Sequence, residues 1–447
     1  MAMYVSVPVH IELSSTRSCI QYWLEHVFIS FLQAFLPYYN ILKFIGIVNS
    51  SKLSIAFMIL RRHIGKRLAD YYAQPANHVV GTIMEEGVNF RGILGEWQWK
   101  RIYRRLYQEQ QGQWLTPVEL FRPHYSHILA NFIQQESEGT SDFHIVELGG
   151  GRANNARLIL DRLQQSPDVY DRMISYTIVD ASPSLHDFQR QTLQGGPHSQ
   201  KLKFQLQDLT DVAEEKASLL SSSEEPTIVM GLELLDNLAH DKVRQSLNGK
   251  LEQAEITVDI TGQLVENFVP LTDTLLSQSL NKLPSFGSSR PFWFPSVACG
   301  VLKHITEVRP NASILLADFD WLPQPDLEGE VPERRSTWAD GEPIVTDMKG
   351  VDHECFLHAP HLVDILYPTE FSKMAAILRK LCRRHPVAFT KQADFLQTYG
   401  DKDIEATKSW LTGYTPLLED FGNCSILTVS RRKSGDEKVP RRKPANK

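Results

Sequence analysis

Four times between residues 144 and 236 an apolar run ends at or just before an acidic side chain. HIVE closes at Glu147, SYTIVD at Asp180, LKFQL runs up to Asp208, and PTIVMG leads to Glu233 and Asp236. Helix-compatible stretches such as 155–164 lie between them. Short apolar runs alternating with helices predict a parallel sheet, and such a sheet takes its ligands at the C-terminal ends of its strands, where the acids fall. The first run feeds directly into Gly149, Gly150 and Gly151. A glycine cluster lets the backbone turn tightly and approach a ligand where a Cβ would collide, with helix N–H groups behind it.

Asp180 lies 31 residues after Gly149, at the expected tip of the second strand. A carboxylate there can accept hydrogen bonds from both hydroxyls of a ribose, so the pair predicts an adenosine-containing ligand. The loop contains no GxxxxGK[ST], which argues against a nucleoside triphosphate cradle. Its glycines read GGGRAN rather than GxGxxG, and Glu147 sits two residues before them. That E-x-G-x-G arrangement favours S-adenosyl-L-methionine over a nicotinamide dinucleotide, because a carboxylate suits the cofactor's ammonium and cationic sulfonium. An unrelated Rossmann-type oxidoreductase is the rival on this evidence, and preferential NAD binding would revive it.

Several segments, in order, resemble the MidA-type methyltransferases, a family that includes the mitochondrial complex I assembly factor that methylates arginine on a subunit of that complex. They are WLTPVELFRPHYSHILANFI at 114–133, IVELGGGRANNARLIL at 145–160, TIVDASPSL at 177–185, GLELLDNLAHDKVR at 231–244, SILLADFDWLP at 313–323, DILYPTEF at 364–371 and TKQADFL at 390–396. The resemblance runs from about residue 80 to about 430. It implies a class I S-adenosylmethionine-dependent methyltransferase fold (α/β, Rossmann-like), with a seven-stranded, mostly parallel sheet and helical and hairpin lid insertions at about 245–300 and 322–400. It places Glu147, Gly149, Gly151 and Asp180 at the cofactor, to which the third strand's Asp208 is added, and Glu233 with Asp236 at the substrate-facing edge as the catalytic pair. The activity it implies is protein arginine methylation of a complex I subunit during assembly.

The chain departs from the family pattern in places. Ala153 stands where a third glycine is usual, and Gly150 where a proline is. Alanine is tolerated there if its φ is negative. Leu232 replaces the asparagine or histidine before the acidic block, and the following P-V-H is Ala239, His240, Asp241. These changes keep alive a catalytically silent assembly protein that uses the fold to bind a partner.

Arginine methylation asks for a guanidine held with a lone pair aimed at the methyl carbon, and paired carboxylates match the guanidinium fork. Glu233 and Asp236, three residues apart, share a face if a helix starts after the fourth strand. The bland alternative is that one of them caps that helix. His240 reads as half of a surface pair with Asp241.

At 447 residues, 42% hydrophobic and 22% charged, the chain can bury a large core. A net charge of −6 gives no reason to expect nucleic-acid binding. The five cysteines are far apart, with no CxxC, so no metal site is expected and the thiols read as reduced. Residues 1–70 form a basic, hydrophobic lead, free of acids between Glu25 and Asp70, that fits a mitochondrial targeting segment. A membrane-surface helix and a mispredicted first exon are the other readings. The run Val27–Leu42 is too short to span a bilayer, so no transmembrane span is expected. The tail 431–447 carries eight Lys/Arg against two acids and reads as disordered. Within the insertions, 251–268 predicts a hairpin around Thr261-Gly262, 284–296 an aromatic-rich loop, and 424–430 the last strand.

Overall fold

The computed structural model describes residues 58–75, 81, 88–109, 115–259, 261–283, 290–323, 341–383 and 385–431. The expected lead up to residue 57, the tail from 432, and the stretches 284–289 and 324–340 lie outside the described residues.

The strands of the main sheet are β1 (Phe143–Leu148), β2 (Met173–Asp180), β3 (Leu202–Leu206) and β4 (Thr227–Leu232). Further along come β5 (Asp241–Gln245), β6 (Leu251–Val258), β7 (Leu264–Pro270), β8 (Phe292–Phe294), β9 (Ala312–Phe319), β10 (Ile344–Asp347), β11 (Val363–Leu366), β12 (Val387–Lys391) and β13 (Cys424–Val429). Seven of them form one sheet in the order β12-β13-β9-β4-β1-β2-β3. The five from β9 to β3 are parallel, while β12 and β13 add an antiparallel end. This is the seven-stranded, mostly parallel class I methyltransferase sheet expected from the sequence. The order reverses between β1 and β4, so the C-terminal ends of those two strands open onto the crevice where such sheets bind ligands.

The principal helices are α1 (Leu60–Tyr72), α2 (Glu96–Glu109), α3 (His124–Glu136), α4 (Asn154–Gln164), α5 (Pro183–Leu193), α6 (Ser296–Val308), α7 (Phe371–Leu381) and α8 (Asp401–Thr407). Residues of β1, β2 and β4 such as Ile145, Ile178 and Met230 are almost fully buried between helices, which is why these strands read as continuous apolar runs rather than alternating ones.

The chain divides into two compact units, Ile59–Ala254 with Phe268–Lys447, and Met1–Met58 with Glu255–Asn267. In the second, the predicted hairpin is present: Asp259 accepts the N–H groups of Thr261 and Gln263, Gly262 turns at φ +88°, and Asn267 donates to Thr257. In the first, β5 pairs antiparallel with β6 and with β8. The expected aromatic loop at 292–294 is therefore a strand, whose Phe292, Trp293 and Phe294 are buried. Their burial against neighbouring apolar side chains outweighs the proline and serine punctuation on either side.

The boundary expected at residue 70 falls inside α1. Leu60, Ile64, Leu68 and Tyr71 recur at helical spacing and are all buried. Arg61 is 2% exposed and bridges Asp241 at 3.0 Å, Asp273 at 2.8 Å and Glu214 at 3.0 Å. Three acids supplied by distant segments thus pin this helix to the main body.

Candidate functional site

The β1–α4 turn is built from three consecutive departures from ordinary backbone. Gly149 and Gly151 have φ of +70° and +51°, and Ala153 caps α4 at φ +62°. The first two are conformations glycine adopts at little cost. Gly150 is required for another reason: a Cβ there would stand 2.4 Å from Ile178 Cγ2 on β2. The condition under which Ala153 would be tolerated, a negative φ, is not met. The residue sits buried in the left-handed region, which costs an L-residue roughly 1–2 kcal/mol.

Facing this turn is a cavity of about 540 Å³. Gly149, Gly151, Asp180, Asp208, Glu233 and Asp236 all line it. Glu147, the remaining expected site residue, does not. Its buried carboxylate accepts from Asn155 Nδ2 at 2.7 Å and Tyr176 Oη at 2.9 Å, so it braces the underside of the loop. Burial, offset by those two bonds, pushes its carboxyl up to about 7.

Asp180 ends β2, where it accepts from the Ser182 N–H and from Gln189 Nε2, each at 3.0 Å. Gln189 also donates to the Gly151 carbonyl at 2.9 Å, tying the second-strand acid to the glycine turn. Burial raises the Asp180 carboxyl to about 6. Asp208 is exposed at the cavity rim and caps the short helix Leu209–Ala213 by accepting from the Thr210 N–H at 2.7 Å. α1 supplies Gly65, Leu68, Ala69 and Tyr72 to the wall. Ser182 and Ser184 strap its end to β2 by donating to the Tyr72 and Gln74 carbonyls. The sequence signal for this helix was its apolar spacing, overlooked when the segment was assigned to the lead.

The opposite side of the cavity is acidic. Glu233 follows β4 at φ +47°, a strained conformation for a side-chain-bearing residue. Glu233 is half-buried in the cavity wall, and burial and the neighbouring Asp318 charge push its carboxyl well above the usual range. Asp236 lies in a single 3-10 turn, Leu235–Asn237, rather than the expected helix. Neither Glu233 nor Asp236 caps that turn. Asp318, at the end of β9, does so by accepting the N–H groups of Leu235 at 2.7 Å and Asp236 at 3.2 Å. Asp236 Oδ1 is left buried with no hydrogen-bond partner, and burial together with Asp318 and Glu233 raises its carboxyl strongly. Asp364 on β11 completes the cluster, held by Asn237 at 3.0 Å and by Tyr72. Burial lifts both Asp318 and Asp364 to about 7. Sequence reasoning missed these two acids, although both stand in the segments quoted above, SILLADFD and DILYPTEF.

His240 is buried, unlike the expected surface pair. It stacks on Tyr367 with ring centroids 4.0 Å apart, and burial lowers it to about 4, which keeps it neutral.

Several carboxyls packed into a partly apolar cavity repel one another once ionised, and either retained protons or a cation relieves them. Next to them lies a glycine turn open to a ligand, with an acid at the second strand. Over residues 126–390 the chain matches the family described as "Putative S-adenosyl-L-methionine-dependent methyltransferase". The chain belongs to this family. Among solved structures, a Burkholderia thailandensis methyl transferase candidate with S-adenosyl-homocysteine bound is similar at 16% identity and TM-score 0.57, covering 94% of this chain and 95% of that one. A native structure of an uncharacterized protein from the same organism is similar at 16% identity and TM-score 0.55, with the same coverage. No curated protein matches. The cofactor of this methyltransferase is S-adenosyl-L-methionine. The residues fit it: Gly151 has no atom within 4 Å of where a Cβ would stand, so the turn leaves room for a ligand, and Asp180 faces the same cavity.

Proposed function

We propose that this methyltransferase modifies an arginine of a partner protein, a subunit of respiratory complex I during assembly, in the mitochondrion. The observation that carries the reading is the set of Glu233, Asp236 and Asp364 lining the cavity, with Asp318 buried behind them, which suits a planar, delocalised cation. Among the described residues no helix is long and apolar enough to cross a membrane, and the net charge of −6 favours a protein partner over nucleic acid.

Bound S-adenosylmethionine supplies a methyl group on a cationic sulfonium. Gly149 and Gly151 would give it room at the backbone, Asp180 would accept from the ribose hydroxyls, and Asp208 lines the rim of the same cavity. Asp236, through its unpartnered Oδ1, and Glu233 hold the guanidinium with one nitrogen toward the methyl carbon. Accepting that methyl would require the guanidinium to release a proton. Glu233 would take that proton where a bound guanidinium holds its carboxylate ionised. The product on the cofactor side is S-adenosylhomocysteine.

Glu233→Gln tests the assignment. Transfer of labelled methyl to mitochondrial complex I subunits is expected to fall at least about a hundredfold, with S-adenosylhomocysteine affinity unchanged. Undiminished transfer would leave Glu233 a structural role, and label on a residue other than arginine would overturn the substrate reading.

A catalytically silent assembly protein is the second reading, and Ala153 and Leu232, which depart from the related pattern, favour it. Titration calorimetry with S-adenosylmethionine decides between them: a folded protein that binds none belongs to the second.

A further inference from the structure

Away from the cavity, three side chains with metal-ligand atoms converge between α3 and α8. His124 and His127 sit three residues apart in the first turn of α3, one helical step that puts both rings on the same face. Asp403, in the first turn of α8, meets both: its Oδ1 lies 3.0 Å from His124 Nδ1 and 3.0 Å from His127 Nδ1. All three ligand atoms lie within 4.8 Å of one another. Sequence reasoning expected no metal because it counted cysteines, and the third partner here stands 276 residues from His127.

We propose that His124, His127 and Asp403 form a zinc site that staples α3 to α8, with water completing the coordination. The donor set is two imidazole nitrogens and one carboxylate oxygen, a combination that Zn²⁺ takes in four-coordinate sites. Zinc bonds of roughly 2.0–2.1 Å give tetrahedral edges of about 3.4 Å. The two N···O edges need therefore open by only a few tenths of an ångström. Asp403 is 8% exposed and fixed on its helix, whereas the rings are 20% and 21% exposed, so an ion and its water can reach the third face. One oxygen of Asp403 already meets both imidazole nitrogens, so a single ion between them would share it. Without an ion, the same atoms form a hydrogen-bonded triad in which each Nδ1–H donates to Oδ1. The two arrangements differ in whether Nδ1 carries a proton or a metal.

The test is calorimetric titration of ZnCl₂ into the full chain after chelator treatment, with bound metal counted by mass spectrometry. Expected are one equivalent of zinc in the wild type and a rise in Tm on adding it. Asp403→Asn and His127→Gln should each weaken zinc binding at least about tenfold. S-adenosylhomocysteine affinity, measured in the same samples, reports whether each variant is folded. Co²⁺ in place of zinc should give a tetrahedral visible spectrum that both variants lose. No zinc bound by the wild type, or equal binding by folded Asp403→Asn and wild type, would overturn the site. Either outcome leaves the methyl-transfer reading untouched, because cofactor affinity is read separately.

Discussion

The two sides of the cavity are made in opposite ways. The glycine-turn side comes from one stretch of chain, Glu147 to Gln189, in which a strand, a turn, a helix and a second strand follow in order. The acidic side comes from the ends of β4, β9 and β11, with Tyr72 of α1 leaning on Asp364. The first shapes backbone to admit a ligand and leaves one buried oxygen, Gln189 Oε1, without a partner. The second gathers carboxyls whose mutual repulsion is left standing, down to an oxygen with no partner. A protein can encode a cradle locally, whereas a charge cluster of this kind exists only once distant strands have been paired.

That contrast can be broken first at Arg61, which pins α1 beside the acidic side through Asp241, Asp273 and Glu214. Removing one member of a buried ionic network strands the others, at about 3–5 kcal/mol. Arg61→Ala should therefore lower unfolding stability by that order in denaturant titration. An unchanged midpoint would mean that α1 is not held by these charges.

Asp180→Ala probes the local side alone. Loss of a charge-assisted hydrogen bond should weaken S-adenosylhomocysteine binding by about 1.5–3 kcal/mol, with no effect on the affinity for an arginine peptide. Calorimetry that found both affinities reduced would show the two sides to be coupled.

The acidic side should answer to pH. Asp318 and Asp364 are raised to about 7 in the folded protein, so each binds its proton more tightly there than in the unfolded chain. Their contribution to stability is full below the ordinary carboxyl range and is lost as pH rises through about 7. Cation binding has the opposite sense, since it needs the ionised forms. Affinity for an arginine peptide should rise with pH up to and just past 7, by about 1.4 kcal/mol per unit for each proton released. A flat profile between pH 6 and pH 8, at constant ionic strength, would remove these carboxyls from the substrate site.

Ala153→Gly has the smallest expected effect. Relief of the left-handed conformation should raise stability by about 0.5–1 kcal/mol, less what the lost methyl contributed to packing. If cofactor affinity also rises, the alanine is a brake on binding. If it does not, Ala153 no longer supports the silent-protein reading, which then rests on Leu232.

Much of this was legible in the chain itself. Four runs ending in acids gave the parallel strands, and the glycines with Asp180 marked the cofactor turn, because these signals depend on residues near in sequence. The metal triad, Asp318 and Asp364 were not legible, since nothing in the local pattern distinguishes an acid that ends beside Glu233 from any acid closing a strand. The aromatic stretch at 292–294 misled for the same reason: its pairing partner, β5, lies about fifty residues away.

The sequence by itself thus determined where the backbone must turn and which strands are buried on both faces, because glycine conformation and apolar continuity are properties of short segments. Only the tertiary structure decided that Glu147 faces away from the cavity, that Ala153 is left-handed, and that acids from three separate strands share one desolvated site. Those outcomes depend on which neighbours exclude water from each side chain, and packing fixes those neighbours.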